Sequence, residues 1–105
     1  MTDNQRTAIL AERILGWRSA PGRFLTGKRR WIACSRFQPF DRVQDAFRVL
    51  RAAAAEYSLV RTANGAFTAR VQVGDRVGTA SGDLEAQTIT IALVRALGID
   101  QEGHP

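Results

Sequence analysis

Apolar residues recur at helical spacing in three stretches of this chain and alternate with polar ones between them. The clearest stretch is Pro39 to Arg61, PFDRVQDAFRVLRAAAAEYSLVR. Val43, Phe47, Leu50 and Ala54 share one helical face, with Ala46 and Ala53 beside them, while Arg42, Asp45, Arg48 and Arg51 fall away from it. That spacing predicts an amphipathic helix capped by Asp41, with Gln44 at the capping-box position, running into a strand over 57–62. Pro39 holds the approach extended. The alanine run 52–55 continues the helix and lets a neighbour pack closely. Its charged face reads as a solvated surface with an Asp45–Arg48 pair, or else as a phosphate-binding surface.

A first helix is predicted over 5–15, with Leu10, Ile14 and Trp17 at i, i+4, i+7 and Asp3 or Asn4 as its cap. Gly16 stops it, and Trp17 folds back as an anchor with a large apolar area. The last helix, over 84–97, begins after Asp83 and carries Ile89, Ala92, Leu93, Ala96 and Leu97 on a broad stripe widened by Ile91 and Val94. Its surplus apolar face packs inside the domain or forms a dimer interface. The run Thr88-Ile89-Thr90-Ile91 is β-branched, which keeps a strand as the alternative.

Pro21-Gly22 marks a turn. Phe24–Leu25 and the Arg30–Cys34 segment around it read as a small hairpin or one interrupted strand, with Trp31 expected in the core. Residues 67–73 alternate, and Asn64-Gly65 is a hairpin signal. A two-residue turn there pairs Val60 with Ala69 and puts apolar residues on both faces of strand 57–62. Either the loop is longer, or both faces of the sheet are covered. Residues 74–83, GDRVGTASGD, read as a glycine-rich loop leading to a helix. Gly78 and Gly82 are its candidate anion-binding positions. The loop lacks both the GK[ST] ending of a nucleotide loop and the spacing of a dinucleotide turn.

A chain of 105 residues is enough for one domain, with a core expected over about 5–98 and polar termini at 1–4 and 99–105. Hydrophobic residues at 45% and charged ones at 24% fit a globular chain rather than a disordered one. The stretch Ile9–Leu15 is broken by Glu12 and Arg13, so it is not read as a signal peptide, and no run is long enough for a membrane span. The lone Cys34 excludes an internal disulfide and points to a reducing, cytoplasmic setting.

The net charge of +5 raises the case for an acidic or nucleic-acid partner. The basic residues are spread along the chain, and only Lys28, Arg29 and Arg30 cluster, at a predicted loop tip beside Trp31. With Arg48 they are the candidate nucleic-acid-binding residues, combining cations with an aromatic ring as single-strand binders do. Catalytic chemistry is missing. The one histidine, His104, lies in the tail, Cys34 has no imidazole partner, and the acids near helix starts read as caps. No metal site and no cofactor are expected.

Three blocks, AERILGW (11–17), FQPFDRVQDAFRVLRA (37–52) and EAQTITIALVRALG (85–98), together resemble the bacteriophage α/β/α-sandwich domain, a family of small phage and prophage proteins. Shared features are a Gly-Trp step after the first helix, a following Trp, an F-x-P turn into an amphipathic helix, and an Ala-rich last helix. Phe40, Asp41 and Phe47 depart from its pattern in ways that preserve packing. The resemblance implies a sheet between helices and transfers no activity. The expected fold is α+β, a small mainly antiparallel three-stranded sheet covered by helices, in the order α-β-α-β-β-α. The expected function is a non-enzymatic accessory or protein-interaction module, acting on an unknown protein partner or by self-association. The alternatives are a nucleic-acid-binding module using the basic loop, and a small-molecule or nucleotide binder using the glycine-rich loop. A double-stranded-RNA-binding domain is set aside, because the last helix opens with Asp83 and Glu85 where such domains place lysines.

Overall fold

The computed structural model describes residues 2–99. Its elements are α1 (Asp3–Arg13), β1 (Arg18–Ala20), β2 (Arg23–Leu25), β3 (Trp31–Ala33), a 3-10 turn (Cys34–Arg36), α2 (Val43–Ala52), β4 (Glu56–Arg61), β5 (Phe67–Val73), β6 (Arg76–Gly82) and α3 (Glu85–Leu97). The α+β class and the antiparallel pairing are as expected. Among the described residues there are two three-stranded sheets rather than one, ordered β1-β2-β3 and β4-β5-β6. The first gains β1, which the polar Arg18-Ser19-Ala20 does not announce. The second gains β6 from the predicted glycine-rich loop.

Helix α3 is the centre of the molecule. It lies on β5 and β6 and also packs against α2. Ala86, Thr88, Ile89, Thr90, Ala92, Leu93, Val94 and Ala96 are all buried along it. The surplus apolar face is therefore covered within the chain and is not a dimer interface. The β-branched run is helical here, because burial outweighs a propensity difference of only a few tenths of a kcal/mol per residue. The Thr88 hydroxyl donates to the Leu84 carbonyl, and the buried Thr90 hydroxyl donates to the Pro39 carbonyl, tying α3 to the approach of α2.

Gly78 allows the close contact between α3 and β6. A methyl built on it would lie 2.1 Å from the Ala92 carbonyl oxygen and 2.4 Å from the Ala96 nitrogen. Strand β6 thus lies directly on the helix backbone, which only a residue without a side chain permits.

The cap assignments move. The α1 N-cap is Thr2, in a reciprocal capping box with Gln5, so residues 2–4 are part of the fold rather than a frayed end. Asp41 is not a cap. Asp41 and Arg42 both donate backbone N–H to the Gln38 carbonyl in a turn, and the N-cap is Arg42. Asp45 instead accepts from the Gln38 N–H at 2.9 Å, so the expected Asp45–Arg48 pair is absent. Asp83 still belongs to the exit from β6, and the cap of α3 is Leu84 without a side-chain bond.

The buried stripe of α2 is Ala46, Val49 and Leu50, while Phe47 sits at the margin with its ring 5.5 Å from that of Tyr57. The helix ends at Ala52, inside the alanine run. Ala55 N–H reaches the Leu50 carbonyl and Ala54 N–H the Arg51 carbonyl, with Ala54 left-handed at φ 53°. Gly16 and Gly98 turn the chain as expected, at φ 71° and 73°. Beyond Gly98 the chain folds back and Ile99, placed in the polar tail by sequence, is fully buried. Residues 100–105, including His104, lie outside the described residues.

In the second sheet Leu59 pairs with Ala69 and Val60 with Thr68. The hairpin loop is Ala63-Asn64-Gly65, closed by the Thr62–Ala66 pair, one residue longer than the two-residue turn. That register puts Tyr57, Leu59, Ala69, Val71, Gly78 and Ala80 on one face, which α3 covers over β5 and β6. The opposite face carries Ser58, Val60, Thr68, Arg70, Thr79 and Ser81, all exposed. The sheet is covered on one side, not two as the sandwich resemblance implies. Among the described residues no helix is long and apolar enough to cross a membrane.

Candidate nucleic-acid interface

The first sheet is a meander, with Ala20 opposite Arg23 across the Pro21-Gly22 turn and Phe24 opposite Ile32. Strand alternation gives it two unlike faces. Phe24 points inward, where its ring meets Trp17 and Phe37 at centroid distances of 6.0 Å each. Trp17 and Phe37 complete the cluster at 5.1 Å. Trp17 is the predicted anchor: it is 6% exposed, and its backbone N–H donates to the Ala11 carbonyl once Gly16 has reversed the chain.

The outward face carries Arg18, Arg23, Leu25, Trp31 and Ala33. Trp31 is 46% exposed, against the expectation that it would be core. A three-residue strand has only one inward position here, and Ile32 fills it. The Arg23 guanidinium lies 4.1 Å from the Trp31 ring centroid, holding the indole by a cation–π contact. A shallow depression beside it is lined by Gly16, Arg18, Leu25, Thr26, Arg29 and Trp31.

The β2–β3 turn holds the basic cluster, as predicted. Thr26 and Arg30 close a three-residue loop, Gly27-Lys28-Arg29, through a 2.9 Å bond from the Thr26 N–H to the Arg30 carbonyl. Arg29 occupies the left-handed position at φ 58°. The Asn64 hairpin has the same build, with Gly65 at φ 88° in that place. An arginine where glycine is preferred costs about 1–2 kcal/mol.

Of the four predicted cations, three come together. Lys28, Arg30 and Arg48 line a depression of about 410 Å³ with Trp17, Thr26, Gly27 and Ile32. Arg48 arrives from α2, its guanidinium 4.8 Å from the Trp17 ring centroid. Arg29 belongs to the other side of the turn, with Arg18, Arg23 and Trp31. Neither depression is lined by an acidic residue, and among the described residues none of these six cations pairs with a carboxylate. Arg18 and Arg23 escape sequence reasoning because they flank a turn separately; only the sheet register brings them together.

The remaining candidates stand elsewhere. Gly78 and Gly82 lie in β6, with Gly78 buried against α3 rather than in an open loop. Cys34 is half-buried in the wall of a third depression with Phe24, Phe37 and Phe40. Among the described residues no three His, Cys, Asp or Glu side chains gather as metal ligands. The start of α3, where a duplex-RNA binder would place cations, carries Asp83 and Glu85.

No protein-family model matches the chain. No curated protein matches its sequence. The fold is similar to that of a phage protein from Bacillus cereus known from a crystal structure at 2.0 Å. The TM-score is 0.70, with 12% identity over 91% of this chain and 92% of that one. The likeness establishes a shared fold.

Proposed function

We propose that this chain, which shares its fold with a phage protein, is a non-enzymatic binding module whose target is single-stranded nucleic acid. The resemblance of its helical blocks to the phage α/β/α-sandwich proteins supports a kinship with them, as a relative whose second sheet leaves one face open. The observation that carries it is the outward face of the first sheet. An exposed indole is held by one arginine and flanked by two more, and among the described residues no carboxylate lines the depression beside it. A single strand needs that combination: a ring for a base to stack on, and cations for the backbone on either side. Such binding is sequence-tolerant, because every base offers a π-face.

The measurement is a titration with labelled single- and double-stranded DNA and RNA at several salt concentrations. Single strands should bind at micromolar concentrations or tighter, with Trp31 fluorescence quenched. Three phosphate contacts give a slope of log K against log salt near about −2. Trp31→Ala should weaken binding by about 1–3 kcal/mol and leave the melting temperature unchanged. Duplex binding equal to single-strand binding, or a Trp31→Ala protein that binds normally, contradicts the reading. Absence of any binding at low salt would redirect the search to a protein partner.

A further inference from the structure

We infer that the single strand is gripped on both sides of the β2–β3 turn, one base stacked on Trp31 outside and a phosphate of the same strand seated in the Lys28/Arg30/Arg48 cleft behind it. The inference rests on the single-strand reading above and extends it to a second contact. Alternation along β3 puts Trp31 on one face of the sheet and Ile32 on the other. Arg30 shares the cleft with Ile32, so the cluster Lys28-Arg29-Arg30, which looks like one patch in the sequence, is divided by the fold between two surfaces.

The cleft has the features of an anion seat. Three cations from two separate elements face one depression, and the floor is the apolar pair Trp17 and Ile32. Like charges brought together beside a low-dielectric wall repel one another more strongly than in open water. An anion between them removes that repulsion, and Arg48 is already positioned by the face of Trp17. Trp17 offers no stacking surface of its own, because it is buried, whereas Trp31 is half exposed. The base therefore belongs on Trp31 and the phosphate in the cleft.

Thr26 connects the two. It lines both depressions, so the Trp31 face and the cleft adjoin at the edge of the turn. A ligand reaching from one to the other must bend sharply within a few nucleotides. A flexible single strand does so, whereas a duplex with a persistence length of about 150 base pairs does not. The geometry thus excludes duplexes by shape as well as by the need for an unstacked base.

The test compares oligothymidylates of two and of about six nucleotides, the shorter able to reach only one side of the turn. The proteins are the wild type, Arg48→Ala, the double variant Lys28→Ala/Arg30→Ala, and Arg70→Ala as a charge control on the far sheet. All four substituted residues are exposed, so circular dichroism should show an unchanged fold. In the wild type the longer strand should bind at least tenfold tighter than the dinucleotide. Arg48→Ala and the double variant should lose most of that advantage while keeping dinucleotide affinity and Trp31 quenching. Arg48→Ala should also flatten the salt slope by about 0.7. In a Trp31→Phe protein, Trp17 emission should respond to the longer strand alone. If both cleft variants bind the longer strand as the wild type does, with quenching intact, the two-sided grip is wrong and the Trp31 face stands alone. An equal loss in Arg70→Ala also overturns it, since the effect is then one of net charge. If the wild type binds neither oligonucleotide, the single-strand reading itself fails.

Discussion

Replacing Gly78 by alanine adds one methyl where β6 rests on α3. That methyl would meet the Ala92 carbonyl oxygen at 2.1 Å, the Ala96 nitrogen at 2.4 Å and the Arg95 carbonyl carbon at 2.9 Å. All three obstacles are backbone atoms, so no side chain can swing aside. Restoring ordinary contact requires α3 and β6 to separate by more than about 1 Å, which weakens dispersion contacts along the face that buries Ile89, Ala92, Leu93 and Ala96. Overpacking costs about 1–3 kcal/mol and occasionally more, and an unyielding backbone puts this site at about 3. A domain of this size is stable by roughly 5–15 kcal/mol. At about 4–8 °C per kcal/mol, the melting temperature should fall by about 12–24 °C. The assay is thermal and urea unfolding of Gly78→Ala beside Gly27→Ala, where an added methyl has nothing within 4 Å and should change stability by no more than about 1 kcal/mol. A Gly78→Ala protein within about 0.5 kcal/mol of wild type would refute the close packing.

Three further outcomes are expected. Ala54→Gly should raise stability by about 1 kcal/mol in urea unfolding, because the left-handed φ of 53° that closes α2 costs alanine but not glycine. Thr90→Val should cost about 1–3 kcal/mol by leaving the Pro39 carbonyl without its donor, and Thr90→Ser should recover much of it. Arg29→Gly should separate stability from binding: melting should rise, since φ is 58° there, while single-strand affinity falls with the loss of a cation from the Trp31 face.

The sequence by itself determined the elements whose cause is local. Helical spacing specified three helices, alternation specified β5, and Gly16 and Gly98 ended helices at left-handed positions. The anchoring of Trp17 followed from a large ring placed just after such a stop. The basic cluster was legible at a turn, since Thr26-Gly27 is turn chemistry. Tertiary structure decided whatever depends on a partner distant in sequence. Period-2 alternation says that Trp31 and Ile32 face opposite ways but not which way is in; the aromatic cluster at Trp17, Phe24 and Phe37 settled that. Gly78 and Gly82 read as a loop because glycine is common in loops, and only α3 lying on β6 gives Gly78 a place in a strand. The last helix, whose surplus apolar face could pack inside the domain or form a dimer interface, is core because the second sheet and α2 cover it within the chain. Lys28, Arg30 and Arg48 form one cleft and Arg18, Arg23 and Arg29 another face, because sheet register and the docking of α2 set distances that spacing along the chain does not contain.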